Sequence, residues 1–399
     1  MNKSTFFSGQ PIFTQLLKFI PKDTVATIAH DSKADRYSKR FSTYEHLVTM
    51  LYSIFNNCNS LREVVTGMLA SEQRLNHLGV RYHPRRSTIS DANSRRQAEV
   101  FGEIYYSVFN RYAGFLSDSR KNSKSSKLFI IDSTTISLFQ EILRTSGKNP
   151  ASGKRKGGIK VHTLVRSDHD VPSMIRLTAA TANDSQFLRE VRLPRGSIIV
   201  FDRGYYDFTT LNRFTCDGIT WVTRLRKLFA YDSIEDLEPA NNTDIKSDEH
   251  ILLGHRSSVR VKARLIKFFD PLSGEQYEFL TNNFRMSAMN IASLYKKRWQ
   301  IELLFKRMKQ NYPLKYFLGE SPNAIKIQIW CALIADLLLK IVKKGTAAKW
   351  SFSNLAAMIR LHLMTYIDLG GFLKSPEKAL LKMFAKSKQY NYNQLLLIT

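Results

Sequence analysis

The 399-residue sequence predicts an α/β core that contains a β-rich segment and follows a helical region. Two runs of four apolar residues, 128–131 and 198–201, have the pattern of buried strands, and each is followed directly by an aspartate. Apolar residues at helical spacing recur through residues 1–115. Residues 294–312 add an amphipathic helical stretch with a single glutamate among many cations.

Net charge is the most unusual feature of the composition. The chain carries 60 Lys and Arg against 34 Asp and Glu, which gives a formal net charge of +26 and a pI of about 9.9. An excess of this size points first to nucleic acid, with a membrane surface or an acidic protein as alternative partners. The hydrophobic content of 43% is typical of a globular chain.

Cysteine usage and hydropathy indicate the compartment. The three cysteines are far apart, show no metal-type spacing and fit a reducing environment. The N-terminal residues have no apolar signal region, and charges interrupt the apolar run at 329–342, which is too short to span a bilayer. We therefore expect a soluble cytoplasmic protein without a membrane partner.

Residues 1–115 are predicted to form short helices joined by polar turns. Within this helical region, residues 83–96 are the best candidate for a DNA-reading helix, which Ser87 or Thr88 can cap. Short polar residues there are surrounded by cations that can reach phosphates or base edges: Arg85, Arg86, Arg95 and Arg96. An ordinary basic surface helix is the alternative interpretation.

After a polar linker at residues 117–127, the first apolar run ends in Asp132. A hairpin is predicted over residues 157–178, a short helix over 184–191, and the second apolar run then ends in Asp202. If the two strands are parallel neighbours, these aspartates lie side by side at the edge where α/β sheets bind ligands. Either aspartate alone could instead begin a turn or cap a helix.

Residues 219–284 read as a β-rich insertion between the second aspartate and the amphipathic stretch. Helices are predicted again over 324–342 and 354–366. The segment 370–399 is basic and mixed, and no role follows from its composition.

In the stretch 294–312, Glu302 is the only carboxylate between Arg285 and Gly319. At about 100° per residue, it shares a polar edge with four other side chains: Tyr295, Arg298, Lys306 and Lys309. The stripe beside this edge is apolar and should face a core: Leu294, Ile301, Leu304, Phe305 and Met308. The ordinary alternative for Glu302 is a solvated i,i+4 ion pair with Lys306 or Arg298.

The three carboxylates together have the type and number of ligands that Mg²⁺ prefers. Two such ions can activate a hydroxyl and stabilise the leaving oxygen of a DNA phosphodiester. Zinc has less support because His162 and His169 lie near no cysteine pair. The chain has neither a GxSxG elbow nor Walker spacing, which disfavours serine-nucleophile and ATP-driven chemistry.

With Asp132, Asp202 and Glu302, the chain resembles bacterial insertion-sequence transposases of the DDE class, whose catalytic core is similar to ribonuclease H. The spacing Tyr295-x2-Arg298-x3-Glu302-x6-Lys309 matches the Y-R-E-K signature of the branch that includes hairpin-forming cut-and-paste enzymes. The resemblance covers about residues 127–342, and more loosely the N-terminal helical region.

The resemblance implies that the three acids are catalytic and bind Mg²⁺ or Mn²⁺, with two ions expected. It also implies that Tyr295, Arg298 and Lys309 contact DNA near the cleaved end. Lys306 lies on the same polar edge. Trp299 lies near that edge and could stack on a base turned out of the duplex, with core packing as the alternative. His162 and Asp184 could line the site or have structural roles.

The sequence thus predicts a ribonuclease H-like core with a helical DNA-end-binding domain. The expected boundaries are 1–115 for end binding, 116–218 and 285–345 for the core, 219–284 for the insertion and 346–399 for a C-terminal helical region. The expected function is cut-and-paste transposition by metal-dependent strand cleavage and transfer. The expected partners are terminal inverted repeats, target DNA and a second copy of the chain. A plain nuclease of similar fold and an inactive DNA-binding regulator are the alternatives.

Overall fold

The computed structural model describes residues 9–117, 127–137, 158–226, 230–237, 244–254, 258–346 and 349–381. The chain divides into two compact units. The helical unit combines Met1–Leu116 with Arg307–Thr399, and the sheet unit is Ser117–Lys306. The first unit is therefore discontinuous in sequence, whereas residues 285–345 were predicted to belong to the core.

The chain begins with helices α1 (Ile12–Leu17), α2 (Lys22–Asp31), α3 (Thr43–Phe55), α4 (Leu61–Leu69), α5 (Glu72–Leu78), α6 (Arg86–Arg95) and α7 (Ala98–Leu116). The sheet unit follows with β1 (Leu128–Ser137), β2 (Gly158–Arg166), β3 (Pro172–Ala179), α8 (Ser185–Glu190), β4 (Ile198–Phe201), α9 (Phe208–Cys216) and β5 (Thr220–Arg224). Next come β6 (Tyr231–Leu237), β7 (Ile245–Leu253), β8 (Val261–Asp270), β9 (Glu275–Thr281), α10 (Ala288–Lys296) and α11 (Trp299–Asn311). The last described helices are α12 (Pro322–Thr346), α13 (Phe352–Leu361) and α14 (Leu369–Lys374).

The described strands form one nine-stranded sheet in the order β3-β2-β1-β4-β5-β9-β8-β7-β6. The neighbours β1, β4 and β5 are parallel, and the remaining pairs are antiparallel. The predicted hairpin is confirmed as β2 and β3. The predicted β-rich segment is also present, but it continues the core sheet, because β9 pairs directly with β5.

Helices cover both faces of this sheet. Ile131, Ile199 and Phe201 belong to a core that includes Phe187 of α8 and Phe214 of α9. The alternate strand residues face other helices, Val200 packing in a core with Ile291 of α10, and Ile130 with Ile301 of α11. Burial on both faces explains why these strands are continuous apolar runs without alternation.

The predicted helix over residues 294–312 is broken in two. The amide of Arg298 donates to the Tyr295 carbonyl at 2.9 Å, and the amide of Ile301 to the Arg298 carbonyl at 3.1 Å. These i to i+3 bonds tighten the chain between α10 and α11. The sequence has no Gly or Pro in this stretch and so contains no sign of the break. The predicted apolar stripe is nevertheless buried at Ile301, Leu304, Phe305 and Met308.

The helical unit is built around its two longest helices, α7 and α12. Trp330 of α12 packs 5.8 Å from the Tyr105 ring of α7 and lies over Gly102, which leaves room for the indole. The helical character predicted for the N-terminal region is confirmed. The predicted cap is wrong: α6 begins at Arg86, so Ser87 and Thr88 lie inside its first turn. Among the described helices, none has the length and apolar character required to cross a membrane.

Candidate active site

Asp132 and Asp202 lie side by side in the sheet unit. The parallel pairing of β1 with β4 ends at Ile131 and Phe201, and each aspartate is the next residue of its chain. The two apolar strands are therefore parallel neighbours, which is the condition under which the sequence places the two aspartates side by side. The prediction that both strands end there holds only for β4, since β1 continues to Ser137 through its antiparallel pairing with β2.

Helix α11 brings Glu302 to the same site through Arg298. The Arg298 guanidinium donates from Nη1 to Oδ2 of Asp132 at 2.6 Å and from Nη2 to Oε1 of Glu302 at 2.7 Å. Its side chain is only 14% exposed, compared with 43% for Glu302. Burial of Ile301, Leu304 and Phe305 against β1 and β2 orients this face of the helix.

Tyr295 contacts the third acid. Its hydroxyl lies 3.3 Å from Oδ1 of Asp202, and its ring is buried against Phe279. The Arg298 guanidinium lies 5.7 Å from the centre of the Tyr295 ring, within range of a cation–π contact. Tyr295 and Arg298 together therefore contact all three predicted catalytic carboxylates.

The electrostatics show that the acids interact. Burial raises the pKa of Asp132 to about 6, Arg298 and the Ser133 amide act to lower it, and Asp202 and Glu302 raise it further. For Arg298, burial alone would lower the pKa, but Tyr295, Asp132 and Glu302 reverse this and raise it above its usual value. The site therefore holds excess negative charge that a cation stabilises.

A divalent metal ion fits this site chemically. All three side chains offer hard carboxylate oxygens, and they already surround a cationic group in the form of the Arg298 guanidinium. In this arrangement, the described residues contain no group of three or more His, Cys, Asp or Glu side chains spaced to hold an ion. Arg298 lies between Asp132 and Glu302, so an ion bound by both would take the place of its guanidinium.

A buried polar network lies next to Asp132. His162 pairs in register with Ser133 on the adjacent strand, and its Nδ1 lies 3.3 Å from the Tyr205 hydroxyl. Nε2 of His162 lies 2.9 Å from the Thr178 hydroxyl, and burial lowers the pKa of His162 to about 4, which keeps it neutral. Lys160 donates to Asp184 at 2.9 Å within the same network.

Tyr205 was missed by the sequence analysis. It follows Asp202 in a short turn where its amide donates to the Asp202 carbonyl, and its hydroxyl lies 3.3 Å from Nδ1 of His162. The aromatic residue three positions after the second aspartate was the available signal. His162 and Asp184 are both engaged in this network beside the acids, so each has structural partners at the edge of the site.

The other side chains predicted to contact DNA differ in exposure. Trp299 is 65% exposed, which excludes core packing as its role. Lys306 and Lys309 are exposed on α11, whereas Tyr295 is buried and reaches the site only through its hydroxyl. Arg298 is engaged by carboxylates, and a phosphate would have to compete for it.

The N-terminal arginines also fall into two groups. Arg85, Arg86 and Arg95 are exposed, and Arg95 pairs with Asp91 one turn earlier. Arg96 is buried instead, donating to Oδ1 of Asp35 at 3.0 Å and to the Phe41 carbonyl. A DNA contact by Arg96 is therefore not compatible with this structure, in which its guanidinium is saturated by its own unit.

The chain is similar to known families and proteins over much of its length. The family model described as Transposase DDE domain matches residues 123–338, and one described as a domain of unknown function, DUF4372, matches residues 8–81. The chain is 29% identical over 266 residues to the putative transposase y4zB of Sinorhizobium fredii (strain NBRC 101917 / NGR234), covering 65% of this chain and 72% of that protein. It is 26% identical over 264 residues to the putative transposase for insertion sequence element IS4SA of Synechocystis sp. (strain ATCC 27184 / PCC 6803 / Kazusa), covering 64% and 71%.

Among solved structures, the cryo-EM structure of the piggyBac transposase synaptic complex with hairpin DNA aligns with a TM-score of 0.46 and 10% identity. That alignment covers 93% of this chain and 83% of the piggyBac chain. The DDE model alone spans more than half of the present sequence and includes both strand aspartates and Glu302. The chain therefore belongs to the Transposase DDE domain family and is a DNA transposase of the bacterial insertion-sequence type.

Proposed function

We propose that this transposase excises its insertion sequence and joins it to a new site through metal-dependent cleavage and strand transfer, with Asp132, Asp202 and Glu302 as the catalytic ligands. The observation that carries the proposal is the convergence of these carboxylates on Tyr295 and Arg298. The order and directions of strands β1 to β5 support a ribonuclease H-like assignment of this core.

Asp132, Asp202 and Glu302 would hold Mg²⁺ or Mn²⁺, with two ions expected. When bound, a pair of such ions activates the attacking hydroxyl and neutralises charge on the leaving oxygen. The chain contributes the fixed spacing of two of the ligands, because Asp132 and Asp202 follow paired residues of neighbouring strands. Glu302 is more exposed and lies on a helix, so it is the ligand with the most freedom to adjust.

Arg298 and Tyr295 have the chemistry to position the cleaved end of the DNA. A guanidinium can bind a phosphate through two parallel hydrogen bonds, as it now binds two carboxylates. Trp299 presents an exposed indole one residue later, suited to stacking on an unpaired base. Lys306 and Lys309 add exposed positive charge along α11, so binding should weaken steeply with salt.

The proposed partners are the terminal inverted repeats of the element, the target DNA and a second copy of the chain in the synaptic complex. We assign end binding to the helical unit, with Arg85, Arg86 and Arg95 as exposed cations that can reach phosphates. The strongly positive net charge of +26 favours such contacts over the whole protein.

The test is a cleavage assay with purified protein and linear DNA that carries the two boundaries of its own element. Reactions contain Mg²⁺ or EDTA, and wild type is compared with Asp132→Asn, Glu302→Gln and the control Asp217→Asn, which changes an exposed acid outside the site. We expect boundary cleavage and joining to a plasmid for wild type and the control only, and only with Mg²⁺. Removal of a ligand should reduce the rate by at least about a thousandfold, of the order known for loss of essential groups.

Two other outcomes have distinct meanings. Cleavage without boundary preference or plasmid joining would indicate a nuclease of similar fold, and would reject strand transfer. Boundary binding without cleavage by any protein, including wild type, would indicate a DNA-binding regulator and would reject the catalytic assignment of the three acids.

A further inference from the structure

The helical unit contains a basic cavity in which two of the predicted DNA contacts, Arg95 and Arg96, lie beside a chain turn that was not predicted to contact DNA. The cavity has a volume of about 190 Å³ and lies between the chain turn at residues 32–38 and the end of α6. Among the described residues that line it, four are cationic and none carries a carboxylate. The cationic residues are Lys33, Arg36, Arg95 and Arg96. We call this site the turn pocket.

Buried Arg96 stabilises the turn at residues 32–38 from the protein interior. Its guanidinium donates to Asp35, to the Ser38 hydroxyl and to the Phe41 carbonyl. Asp35 also accepts from the amide of Thr43 at 2.7 Å. The Asp35 carboxylate is therefore neutralised on the buried side of the turn. Lys33 and Arg36 keep their positive charge on the exposed side.

The backbone of the turn is strained at two residues that face outwards. Lys33 has φ of 53° and Tyr37 has φ of 64°, in the left-handed region that residues other than Gly, Asn and Asp seldom adopt. Both side chains are exposed, Tyr37 to 80%. Strain of this kind persists where the surrounding structure enforces it, often at ligand sites, and here Arg96 supplies that enforcement.

The turn combines an exposed ring with exposed cations. The Arg36 guanidinium lies 4.9 Å from the centre of the Tyr37 ring, and Lys39 and Arg40 continue the exposed positive charge. Exposure of a tyrosine gains nothing for folding, since its apolar area stays in water. Cations that neutralise phosphates beside an aromatic ring that can stack are characteristic of nucleic-acid contacts.

The size of the turn pocket suits one phosphodiester group. A water molecule occupies about 30 Å³ of liquid volume, so the cavity has space for a group several times larger. An anion there would meet Lys33 and Arg36, while Arg95 of the lining pairs with Asp91 and Arg96 is engaged by the turn itself. A backbone phosphate of duplex DNA has this charge and brings a neighbouring sugar or base within reach of Tyr37.

We propose that the turn pocket binds a backbone phosphate of the element-end DNA, with Arg36 as the principal cation and Tyr37 packing on the adjacent sugar or base. This rests on the proposed function, in which the helical unit binds the ends. The proposed phosphate contact lies on the turn after α2 and adds to the contacts assigned to α6. Arg96, which was predicted to contact DNA, instead has a positioning role.

The experiment measures binding of the full-length protein to a fluorescent duplex that carries the element end, as a function of salt. Arg36→Gln should weaken binding about five- to tenfold near 0.1 M salt and reduce the salt slope by about 0.9, the effect of one lost phosphate contact. Tyr37→Asn, which keeps a residue that tolerates positive φ, should weaken binding without changing the slope. The control Arg62→Gln removes an exposed charge of α4 outside the pocket and should leave both quantities near wild type.

The outcomes separate this inference from the proposed function. If Arg36→Gln and Tyr37→Asn bind the duplex like Arg62→Gln, with wild type binding well, the turn pocket is not a DNA contact. Inorganic phosphate could raise the melting temperature of wild type and not that of Arg36→Gln, while both proteins bind the duplex equally well. In that case the pocket binds a free anion and the proposal is overturned. If wild type itself does not distinguish the element end from unrelated duplex, end recognition fails, and with it the proposal that depends on it.

Discussion

Arg298 Nη1 donates a 2.6 Å hydrogen bond to Oδ2 of Asp132, a residue 166 positions earlier in the chain. The same guanidinium holds Glu302, so a side chain of the protein supplies the positive charge between two proposed metal ligands. Both contacts are charge-assisted, and the contact with Asp132 is largely shielded from water, since Arg298 is 14% and Asp132 17% exposed. Metal and Arg298 should therefore compete for the same two carboxylates.

The competition predicts that Arg298→Gln binds Mn²⁺ more tightly than wild type when DNA is absent. We expect a gain of about tenfold, equivalent to about 1.4 kcal/mol, because the internal cation no longer occupies the carboxylates. Titration calorimetry or Mn²⁺ paramagnetic resonance at pH 8 would measure it, well above the pKa of about 6 for Asp132. The control is Lys297→Gln, which removes a positive charge from the exposed residue just before Arg298 and should change the Mn²⁺ affinity little.

Equal or weaker Mn²⁺ binding by Arg298→Gln would contradict this competition. Asp132→Asn distinguishes the role of the metal ligands from the competing role of Arg298. If Asp132→Asn does not reduce Mn²⁺ binding in either wild type or Arg298→Gln, the proposed metal ligands are wrong. If it does reduce Mn²⁺ binding while Arg298→Gln does not increase it, only the competing role of Arg298 is rejected.

Trp299 is predicted to act on DNA without contributing to the fold. Trp299→Ala should reduce cleavage at the element end about tenfold, within the 1–3 kcal/mol typical of one base stacked on an aromatic ring, and Trp299→Phe should retain most activity. Leu303→Ala is the matched control, since Leu303 is 61% exposed on the same helix. A 2-aminopurine placed at the terminal base is quenched when it stacks on an aromatic ring, so it should remain dim on binding of wild type and the control and should brighten with Trp299→Ala. Equal brightening with all three proteins would exclude stacking.

Two glycines of α7 should respond oppositely to alanine. A Cβ at Gly102 would lie 2.9 Å from the Trp330 ring, so Gly102→Ala should destabilise the helical unit by about 1–3 kcal/mol through overpacking. Nothing lies within 4 Å of a Cβ at Gly114, where alanine should stabilise by up to about 1 kcal/mol through helix propensity. Urea unfolding followed by circular dichroism measures both. If Gly102→Ala increased the free energy of unfolding, the Trp330 ring would have moved to accommodate the new Cβ without loss of stability.

His46 predicts how the stability of the helical unit depends on pH. Burial lowers the pKa of His46 to about 3, with Arg96 acting in the same direction and the bond to Asn93 opposing it. Because the pKa is lower in the folded state, the unfolded chain binds the extra proton between about pH 6.5 and pH 3. The free energy of unfolding should therefore fall with decreasing pH in that window, by up to about 1.4 kcal/mol per pH unit.

The measurement is urea unfolding at several pH values for wild type and His46→Gln. The variant should lose this component of the slope, while His30→Gln, a change of a histidine that is 90% exposed, should follow wild type. Parallel pH profiles for wild type and His46→Gln would show that His46 binds its proton equally in both states.

Much of the architecture is visible in local sequence patterns. The apolar runs before Asp132 and Asp202, the hairpin between them and the apolar stripe of α11 depend on periodicity, which a strand or helix displays wherever it packs. The approach of Asp132 to Asp202 also follows from the sequence, once parallel pairing is assumed. The match of Tyr295, Arg298, Glu302 and Lys309 to a family signature indicated the branch, and that branch assignment stays a prediction.

Partners chosen by packing were not predictable in the same way. The break before α11 contains no Gly or Pro that would have signalled it. Strands β5 and β9 pair although they are distant in sequence. Tyr205 contacts His162 beside the acids only because β2 pairs with β1. Arg96 and Arg95 are neighbours of the same type, yet one is buried under the turn at Asp35 and the other is exposed.

The sequence by itself therefore determined most of the secondary structure, and the adjacency of the two strand acids followed from it once parallel pairing was assumed. Only the tertiary structure decided which charges meet: Arg298 with Asp132 and Glu302, Tyr295 with Asp202, and Arg96 with Asp35. The physical reason is that periodicity is a local property of a segment, whereas ion pairs and burial depend on which distant surfaces the folded chain brings together.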